Sequence, residues 1–162
     1  MVRLVTMTDE YFAAYVERSI PSYAAEHVKA GNWAADEALD KARTSFNELL
    51  PKGVTTQDNY LYTVEEPQSG ETVGLIWFRV DRSKPEPQAF VYDLLIEEGF
   101  RRRGYGRATM EAMIRELGGL GVHRVALHVF GHNPAAIDLY RSLGFETVDL
   151  IMAKELDSSG ST

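Results

Sequence analysis

The sequence predicts one α/β (α+β) domain built around a mixed β-sheet. Apolar residues make up 44% of the 162 residues and aromatic residues 10%, which is typical of a folded globular chain. Stretches with helical spacing of apolar residues alternate with short runs of β-branched and aromatic residues. No repeat, low-complexity block or linker divides the chain. We therefore expect a single domain over residues 1–156, followed by a small polar tail, residues 157–162, that is disordered.

The first part of the chain predicts a strand followed by helices. The apolar run at residues 2–6 indicates a short strand. Thr8 then follows and can cap a helix. Pro21 is expected to interrupt that helix, because proline lacks the amide that a helix interior needs. A second helical stretch covers parts of residues 24–50, with a break near residues 30–33.

The remainder of the chain predicts further strands and two helices. The predicted strands cover residues 60–64, 73–80, 89–96, 125–130 and 147–156. The predicted helices cover residues 107–117, with Ile114 on the apolar side, and 134–143. The run AFVYDLLI at residues 89–96 is almost wholly apolar, which indicates a strand covered on both faces. The expected order is β, helices, β, β, β, α, β, α, β.

Charge and composition exclude several classes of protein. Lys and Arg total 17 against 24 Asp and Glu, and the net charge of −7 argues against a general nucleic-acid binder and favours amine partners. Cysteine is absent, which excludes disulfides and thiolate nucleophiles, and the four histidines show no metal-binding spacing, so we expect no metal. No run of about 18 apolar residues and no signal-peptide core is present. We expect a cytoplasmic protein with no membrane partner.

The stretch FRRRGYGRATMEAM, residues 100–113, joins a strand to a helix through a glycine-containing turn. Its spacing is Arg101-x-x-Gly104-x-Gly106. Glycines let the backbone approach a ligand, and converging amides at a helix start attract an anion such as a diphosphate. The alternative is a solvated basic turn. The P-loop pattern is absent, and Thr109 stands where the dinucleotide fingerprint needs its third glycine.

A second segment, VFGHNPAAIDLYRSLGF, covers residues 129–145. Asn133 and Tyr140 are seven residues apart, close to two helical turns, so they share a helix face. Asn133 can cap the helix or bind a polar ligand. Tyr140 can be a core aromatic or present its hydroxyl to a site.

Together the two segments resemble the GNAT superfamily of acyl-CoA-dependent N-acetyltransferases. The match is best over residues 89–145 and follows the family order: apolar strand, [Q/R]-x-x-G-x-[G/A], helix, strand, asparagine loop, and a tyrosine-bearing helix that ends in LGF. The chain also looks like a small bacterial subgroup of that superfamily. The resemblance implies the GNAT fold, with a mixed central sheet splayed after the fourth strand and flanked by helices. It also implies acetyl-CoA as acyl donor and a monomer or homodimer.

The resemblance further implies which residues hold the coenzyme. The backbone of residues 102–107 would bind the pyrophosphate, the main chain of residues 94–96 would pair with the pantetheine, and Asn133 would bind the same arm. A bulge would leave an amide near Leu94 or Leu95 free to polarise the thioester carbonyl. The implied coenzyme-binding residues are Leu94, Leu95, Ile96, Arg101, Arg102, Arg103, Gly104, Tyr105, Gly106, Arg107, Asn133, Ala136 and Tyr140.

For catalysis, the resemblance implies that Tyr140 protonates the departing thiolate. The glutamate that some members carry early in the apolar strand is missing here. Asp93 is the nearest carboxylate, and it is a candidate base or the acceptor of a structural hydrogen bond to the neighbouring strand. Glu97 is expected to be solvated. Transfer is expected to be direct, in a ternary complex, because no cysteine is available.

Trp33, Tyr92 and His128 are candidate acceptor-binding residues. For Trp33 the alternative is core packing, and for His128 it is a hydrogen-bonded sheet histidine. The expected acceptor is a small amine or an amino-acid-like molecule. A peptide N-terminus or lysine is an alternative acceptor, and a non-catalytic acyl-CoA-binding or sensing domain is an alternative of another class.

Overall fold

A five-stranded mixed sheet lies between helices in the computed structural model, which describes residues 1–157. The strands, in spatial order, are β1 (Arg3–Thr6), β2 (Asn59–Glu65), β3 (Thr72–Asp81), β4 (Gln88–Ile96) and β5 (Val125–Leu127). Neighbours from β1 to β4 are antiparallel, and β5 runs parallel to β4. The helices are α1 (Asp9–Lys29), α2 (Ala38–Leu49), α3 (Tyr105–Gly119) and α4 (Pro134–Ser142). The predicted fold class is confirmed. The expected tail, except Asp157, lies outside the described residues.

Helix α1 begins at the predicted cap and continues through its proline. The Thr8 hydroxyl accepts a hydrogen bond from the amide of Tyr11 at 3.1 Å. Pro21 lies inside the helix, so the predicted interruption is wrong. A proline in a helix frees the carbonyl four residues earlier, here that of Glu17. Both residues are exposed, so water can bond that carbonyl and the helix need not end.

The two faces of the sheet carry separate hydrophobic clusters. Leu75 and Trp77 of β3 pack in the cluster under α1 and α2, while Ile76 and Phe78 pack in the cluster under α3. All four side chains are buried. Strand β3 is therefore apolar on both faces, which suits its place in the middle of the sheet.

Strand β4 contains a β-bulge at Tyr92. Val91 and Asp93 pair with consecutive residues of β3, so Tyr92 has no partner of its own. The bulge interrupts the alternation of faces. Val91 and Leu94 pack on the α3 side, whereas Tyr92 packs with the cluster under α1 and Asp93 bonds to Tyr15 of that helix.

The sheet opens just beyond this bulge. Strand β5 pairs with β4 only at Ala89, Phe90 and Val91. From Tyr92 to Ile96, that side of β4 faces no other strand of residues 1–157. The predicted splay after the fourth strand is therefore confirmed, and it leaves a row of main-chain groups along one edge of β4.

The last predicted strand, residues 147–156, is absent. The segment from Glu146 onward forms no strand within residues 1–157. Its apolar side chains are exposed, with Leu150 at 73% and Ile151 at 96% of full exposure. The alternating pattern is that of a strand, but a strand also requires a neighbour, and this copy of the chain supplies none.

Candidate functional site

The turn between β4 and α3 presents a row of backbone amides without partners. Gly104 precedes the helix with φ 83°, a left-handed conformation, and Arg102 also has positive φ, 63°. Ala108 is the first residue whose amide donates into the helix, to the Gly104 carbonyl at 3.0 Å. The amides of residues 102–107 donate to no group of the described chain. Unpaired amides at a helix start carry partial positive charge, so this turn can bind an anion.

The two glycines of the turn serve different purposes. Gly104 supplies the left-handed conformation, and a Cβ added there would meet nothing within 4 Å. A Cβ added at Gly106 would lie 3.3 Å from Leu139 Cδ2 and 4.0 Å from Ile96 Cγ1. Gly106 therefore lets the first turn of α3 approach α4 and the end of β4 closely.

Exposed arginines surround these amides. They are Arg101, Arg102, Arg103 and Arg107. The Arg101 Nε donates to the Ile96 carbonyl at 2.9 Å, and the Arg107 guanidinium donates to the Ser142 hydroxyl at 2.5 Å. These bonds fix two of the positive charges beside the turn, in a chain whose net charge is −7. The local potential therefore opposes the overall charge and favours an anionic group.

Asp93 lies beside the opening of the sheet and is held by α1. The Tyr15 hydroxyl donates a hydrogen bond to Asp93 Oδ2 at 2.7 Å. The structural bond considered for Asp93 therefore exists, but its partner is on a helix and not on the neighbouring strand. Burial raises the pKa of Asp93, against the lowering effects of the Tyr15 bond, the Leu94 backbone and the charge of Arg18. A carboxylate with a raised pKa accepts protons more readily, which suits a base.

Tyr140 lies half-buried on α4, close enough to Asp93 for the charge of that carboxylate to affect the pKa of the tyrosine hydroxyl. Burial first, and that charge second, raise the pKa of its hydroxyl, so it stays protonated at neutral pH. The hydroxyl bonds to no other described residue. Within residues 1–157 no buried side-chain polar atom lacks a partner, so this oxygen must reach solvent. Tyr140 therefore has a proton to donate and space in which to donate it.

Asn133 caps helix α4. Its side-chain oxygen accepts a hydrogen bond from the amide of Ala136 at 3.3 Å, and Pro134 follows in the first turn. The capping alternative is thus realised. The cap uses only the oxygen, and the side-chain NH₂ group bonds to no other group in the described part of the chain, which leaves a donor for a ligand.

A cluster of rings lines the α1 side of the opening. The cluster consists of Tyr23, His27, Trp33, Tyr92, His128 and Phe130. His27 stacks on Trp33 at 4.0 Å between ring centroids and meets Phe130 edge-on at 5.2 Å. His128 lies 4.8 Å from Phe130. Tyr92 stacks on Trp77 at 4.6 Å, and burial first, then the proximity of Tyr92, raise the pKa of Tyr23.

This ring cluster contains the predicted Trp33, Tyr92 and His128, together with Tyr23, which the sequence places in the same region, and with His27 and Phe130, which it did not assign to the site. His27 lies four residues after Tyr23 and therefore on the same helix face, which is the sequence signal that could have placed it here. Burial, and secondly the proximity of His128, lower the pKa of His27, so its ring is neutral at pH 7. A neutral imidazole suits a stacked arrangement.

Helix α1 is tied to the site at two places. Arg18 bonds to Glu97, beyond the end of β4, at 2.9 Å. The His132 Nε2 and Glu26 Oε2 lie 2.5 Å apart and join α1 to the loop before α4. Glu97 is half-buried and paired, so the expectation that it is solvated is wrong. The two contacts bridge the space between α1 and the sheet.

The described residues contain neither a metal-binding cluster nor a membrane-spanning helix. No group of three or more His, Asp or Glu within residues 1–157 is arranged to hold a metal ion. In the same part of the chain, every helix is too short or too polar to span a bilayer.

Comparison with known proteins gives concordant results. A sequence model of the acetyltransferase (GNAT) family matches residues 22–145. YycN of Bacillus subtilis (strain 168), an uncharacterised N-acetyltransferase, is 32% identical over 155 residues, which cover 96% of this chain and 99% of YycN. YdgE of the same strain, also uncharacterised, is 31% identical over 153 residues, 94% of this chain and 97% of YdgE. The crystal structure of YycN superposes with a TM-score of 0.92 over 98% of this chain and 100% of its own, at 32% identity.

Proposed function

We propose that this chain, which belongs to the acetyltransferase (GNAT) family, transfers an acetyl group directly to the primary amine of a small molecule. Membership makes the chain an N-acetyltransferase, and acetyl-CoA is the acyl donor of that family. The acceptor, the direct route and the roles of individual residues are the proposal. The observation that carries it is that Tyr140 of α4 lies near Asp93, beside the part of β4 that β5 leaves open.

The chain offers groups that fit acetyl-CoA. The unpaired amides of residues 102–107 suit its diphosphate, and the surrounding arginines add charge. The open edge at residues 94–96 can hydrogen-bond the amides of the pantetheine as an added strand would. Asn133 can donate its side-chain NH₂ to the same arm, beside Ala136 on the first turn of α4. Bound acetyl-CoA supplies the thioester that the amine attacks.

Asp93 and Tyr140 divide the proton transfers. Asp93 accepts the proton that the acceptor nitrogen loses as the N–C bond forms. Tyr140 donates its hydroxyl proton to the sulfur as the C–S bond breaks. Solvent then returns a proton to the tyrosine and takes one from Asp93. The opposite roles suit the two groups, because Asp93 is more basic than an ordinary aspartate and Tyr140 remains protonated at neutral pH.

The contacts of α1 support a small, cationic acceptor. The bonds of Arg18 to Glu97 and of Glu26 to His132 bridge the space between α1 and the sheet, which leaves little room for an extended peptide to pass. Asp93, Glu97 and Glu26 place three carboxylates around that space. The faces of the ring cluster add sites where an ammonium group can rest.

Thiol release in the presence of acetyl-CoA tests this proposal. The acceptors should include polyamines, amino acids and amine-bearing antibiotics in one set, and peptides with a free N-terminus or lysine in another. We expect turnover on members of the first set and an upward shift of Tm with acetyl-CoA alone. Turnover confined to peptides would contradict the small-molecule acceptor. An unchanged Tm would contradict the assignment of the amide row. Reactions without protein measure spontaneous acetylation.

A further inference from the structure

Strand β5 ends the sheet with an unpaired edge. The amide of Ala89 donates to the Arg124 carbonyl at 2.9 Å, so Arg124 and, by alternation, Ala126 turn their main-chain groups towards β4. The amide and carbonyl groups of Val125 and Leu127 then face outward. They meet no partner among residues 1–157. Such an edge readily accepts a further strand.

The surface next to this edge is apolar. A shallow groove between α3 and β5 is lined by Ile114, Leu117, Val122, Arg124 and Val125. Ile114 lies on the side of α3 that the sequence predicts to be apolar, yet it is 40% exposed. It is exposed because no described element lies beyond β5 to cover it.

The segment after α4 carries the complementary pattern. We call residues 146–156 the C-terminal arm. Val148, Leu150 and Met152 alternate with other residues, so in a strand they would share one face. They are 76%, 73% and 88% exposed. Most of the exposed large apolar side chains of the described residues belong either to this arm or to the margin of the groove, a concentration that marks an interaction surface.

We propose that two copies of this chain exchange their C-terminal arms. Each arm adds to the open edge of β5 in the other copy, and its Val148, Leu150 and Met152 enter the apolar groove beside Ile114. The exchange supplies the arm with a neighbouring strand and covers Ile114. Glu146, which would share the face of these three apolar residues, carries the charge that complements Arg124 at the groove.

The occupant is a second copy because the apolar side chains of the arm stay exposed in the copy to which it belongs. The arm forms no strand there, although an unpaired edge is present in the same molecule. Each copy would contribute its arm and receive the arm of the other copy along β5 and the apolar groove beside it. The arrangement is self-complementary and closes as a two-fold dimer.

Molar mass in solution tests the exchange. Size-exclusion chromatography with light scattering should give twice the mass of one chain. The double variant V148D/L150D should raise the dimer dissociation constant roughly 100-fold, because it replaces apolar contacts with charges. Both residues are exposed in their own copy, so the variant should keep its fold, as checked by circular dichroism. Leu39→Asp, at another exposed leucine on α2, is the control and should remain dimeric.

Cross-linking distinguishes an arm exchanged between two copies from an arm that folds back onto its own copy. The chain has no cysteine, so introduced pairs report unambiguously. We combine Ile114→Cys with a cysteine at 148, 150 or 152, and expect at least one pair to yield a disulfide-linked dimer under oxidising conditions. A link within one chain would overturn the proposal. So would the absence of a link at all three positions, a monomeric parent protein, or a dimer that V148D/L150D leaves as stable as before.

Discussion

Tyr140 is the side chain whose hydroxyl we expect to matter for turnover and not for folding. Tyr140→Phe keeps the ring, which lies 5.8 Å from Phe145, and removes a hydroxyl with no described protein partner. We expect kcat to fall about 100-fold or more, with little change in Tm. The raised pKa implies that the wild-type protein loses its acid only above about pH 10, and the variant should lack that alkaline decline.

The control for this variant is Tyr60→Phe, on β2, where the hydroxyl bonds to Arg82 away from the site. It should leave kcat unchanged. If Tyr140→Phe turned over like the parent protein at every pH, the acid would have to be another group.

Asp93 is expected to lower the stability of the folded chain at neutral pH while it supports turnover. Its folded pKa is raised, so the unfolded chain releases the proton at lower pH than the folded one. Stability therefore falls as pH rises from about 3.9 through the folded pKa, and is constant above it. Asp93→Asn can still accept the Tyr15 bond and escapes this loss. We expect it to lower kcat and to raise stability at pH 7, by about 1.4 kcal/mol for each unit of pKa shift.

Thermal unfolding of both proteins at pH 3.5 and pH 7 provides the measurement. The gain in Tm should be present at pH 7 and vanish at the lower pH. Asp81→Asn is the control of opposite sign, because hydrogen bonds from Ser83 lower the pKa of that exposed aspartate. An equal gain at both pH values would contradict a buried charge at position 93.

Motif spacing could predict some site residues and not others. Gly104, Asn133 and Tyr140 belong to local patterns, and their local structure follows from nearby residues. The bond between Glu26 and His132 joins residues 106 positions apart, and no local pattern signals it. The same holds for His27 and Phe130, which meet only because α1 and the end of β5 lie on the same face of the sheet.

At the scale of elements, helix α3 offers a test of the glycine turn. Gly104→Ala should cost about 1–2 kcal/mol of stability, because φ at this position is 83° although the added Cβ has open space. It should also raise KM for acetyl-CoA by disturbing the amides. Gly118→Ala is the matched control in the same helix. It too has open space, but no positive φ, and it should stabilise by about 0.5–1 kcal/mol.

Urea unfolding and KM for acetyl-CoA measure these two effects. If Gly104→Ala and Gly118→Ala changed the free energy of unfolding in the same direction, the left-handed conformation at Gly104 would not be the source of the stability loss. A stability loss in Gly104→Ala without any change in KM would separate the fold of the turn from coenzyme binding.

Most elements could be predicted because their patterns are local. The strands β2, β3 and β4 and the helix α3 lie within a few residues of their predicted bounds. The two failures have a common cause. Pro21 stays inside α1 because the freed carbonyl faces solvent, and residues 147–156 form no strand because no neighbour is present. Solvent exposure and strand partners are properties of the assembled fold, which a local pattern does not contain.

At the scale of the whole molecule, the net charge of −7 makes acceptor binding sensitive to salt. We expect KM for a dicationic amine to rise several-fold between about 20 mM and about 300 mM salt, because screening weakens attraction by the carboxylates. KM for a zwitterionic amino acid, measured in parallel, should change little. Equal changes for both acceptors would mean that the overall field does not steer the amine.

The fold class also follows from sequence, but the place where the sheet opens does not follow from periodicity. The apolar run at residues 89–96 indicated a buried strand. Its bulge at Tyr92 depends on pairing with β3, and the splay depends on where β5 stops. The resemblance to GNAT proteins supplied that expectation, whereas composition and spacing supplied only the mixed sheet.

The bulge at Tyr92 also governs which changes in chain length β4 can tolerate. With the extra residue, the strand consists of two halves of opposite parity. Deleting Tyr92 would restore even alternation with Val91 and Asp93 still opposite Phe78 and Trp77, so Asp93 would keep its face towards α1. Removing two residues further along would shorten the strand and preserve the faces of those before the cut. A single deletion elsewhere in β4 would reverse the faces of the residues beyond it, whereas a single deletion at the bulge should leave the face of Asp93 unchanged.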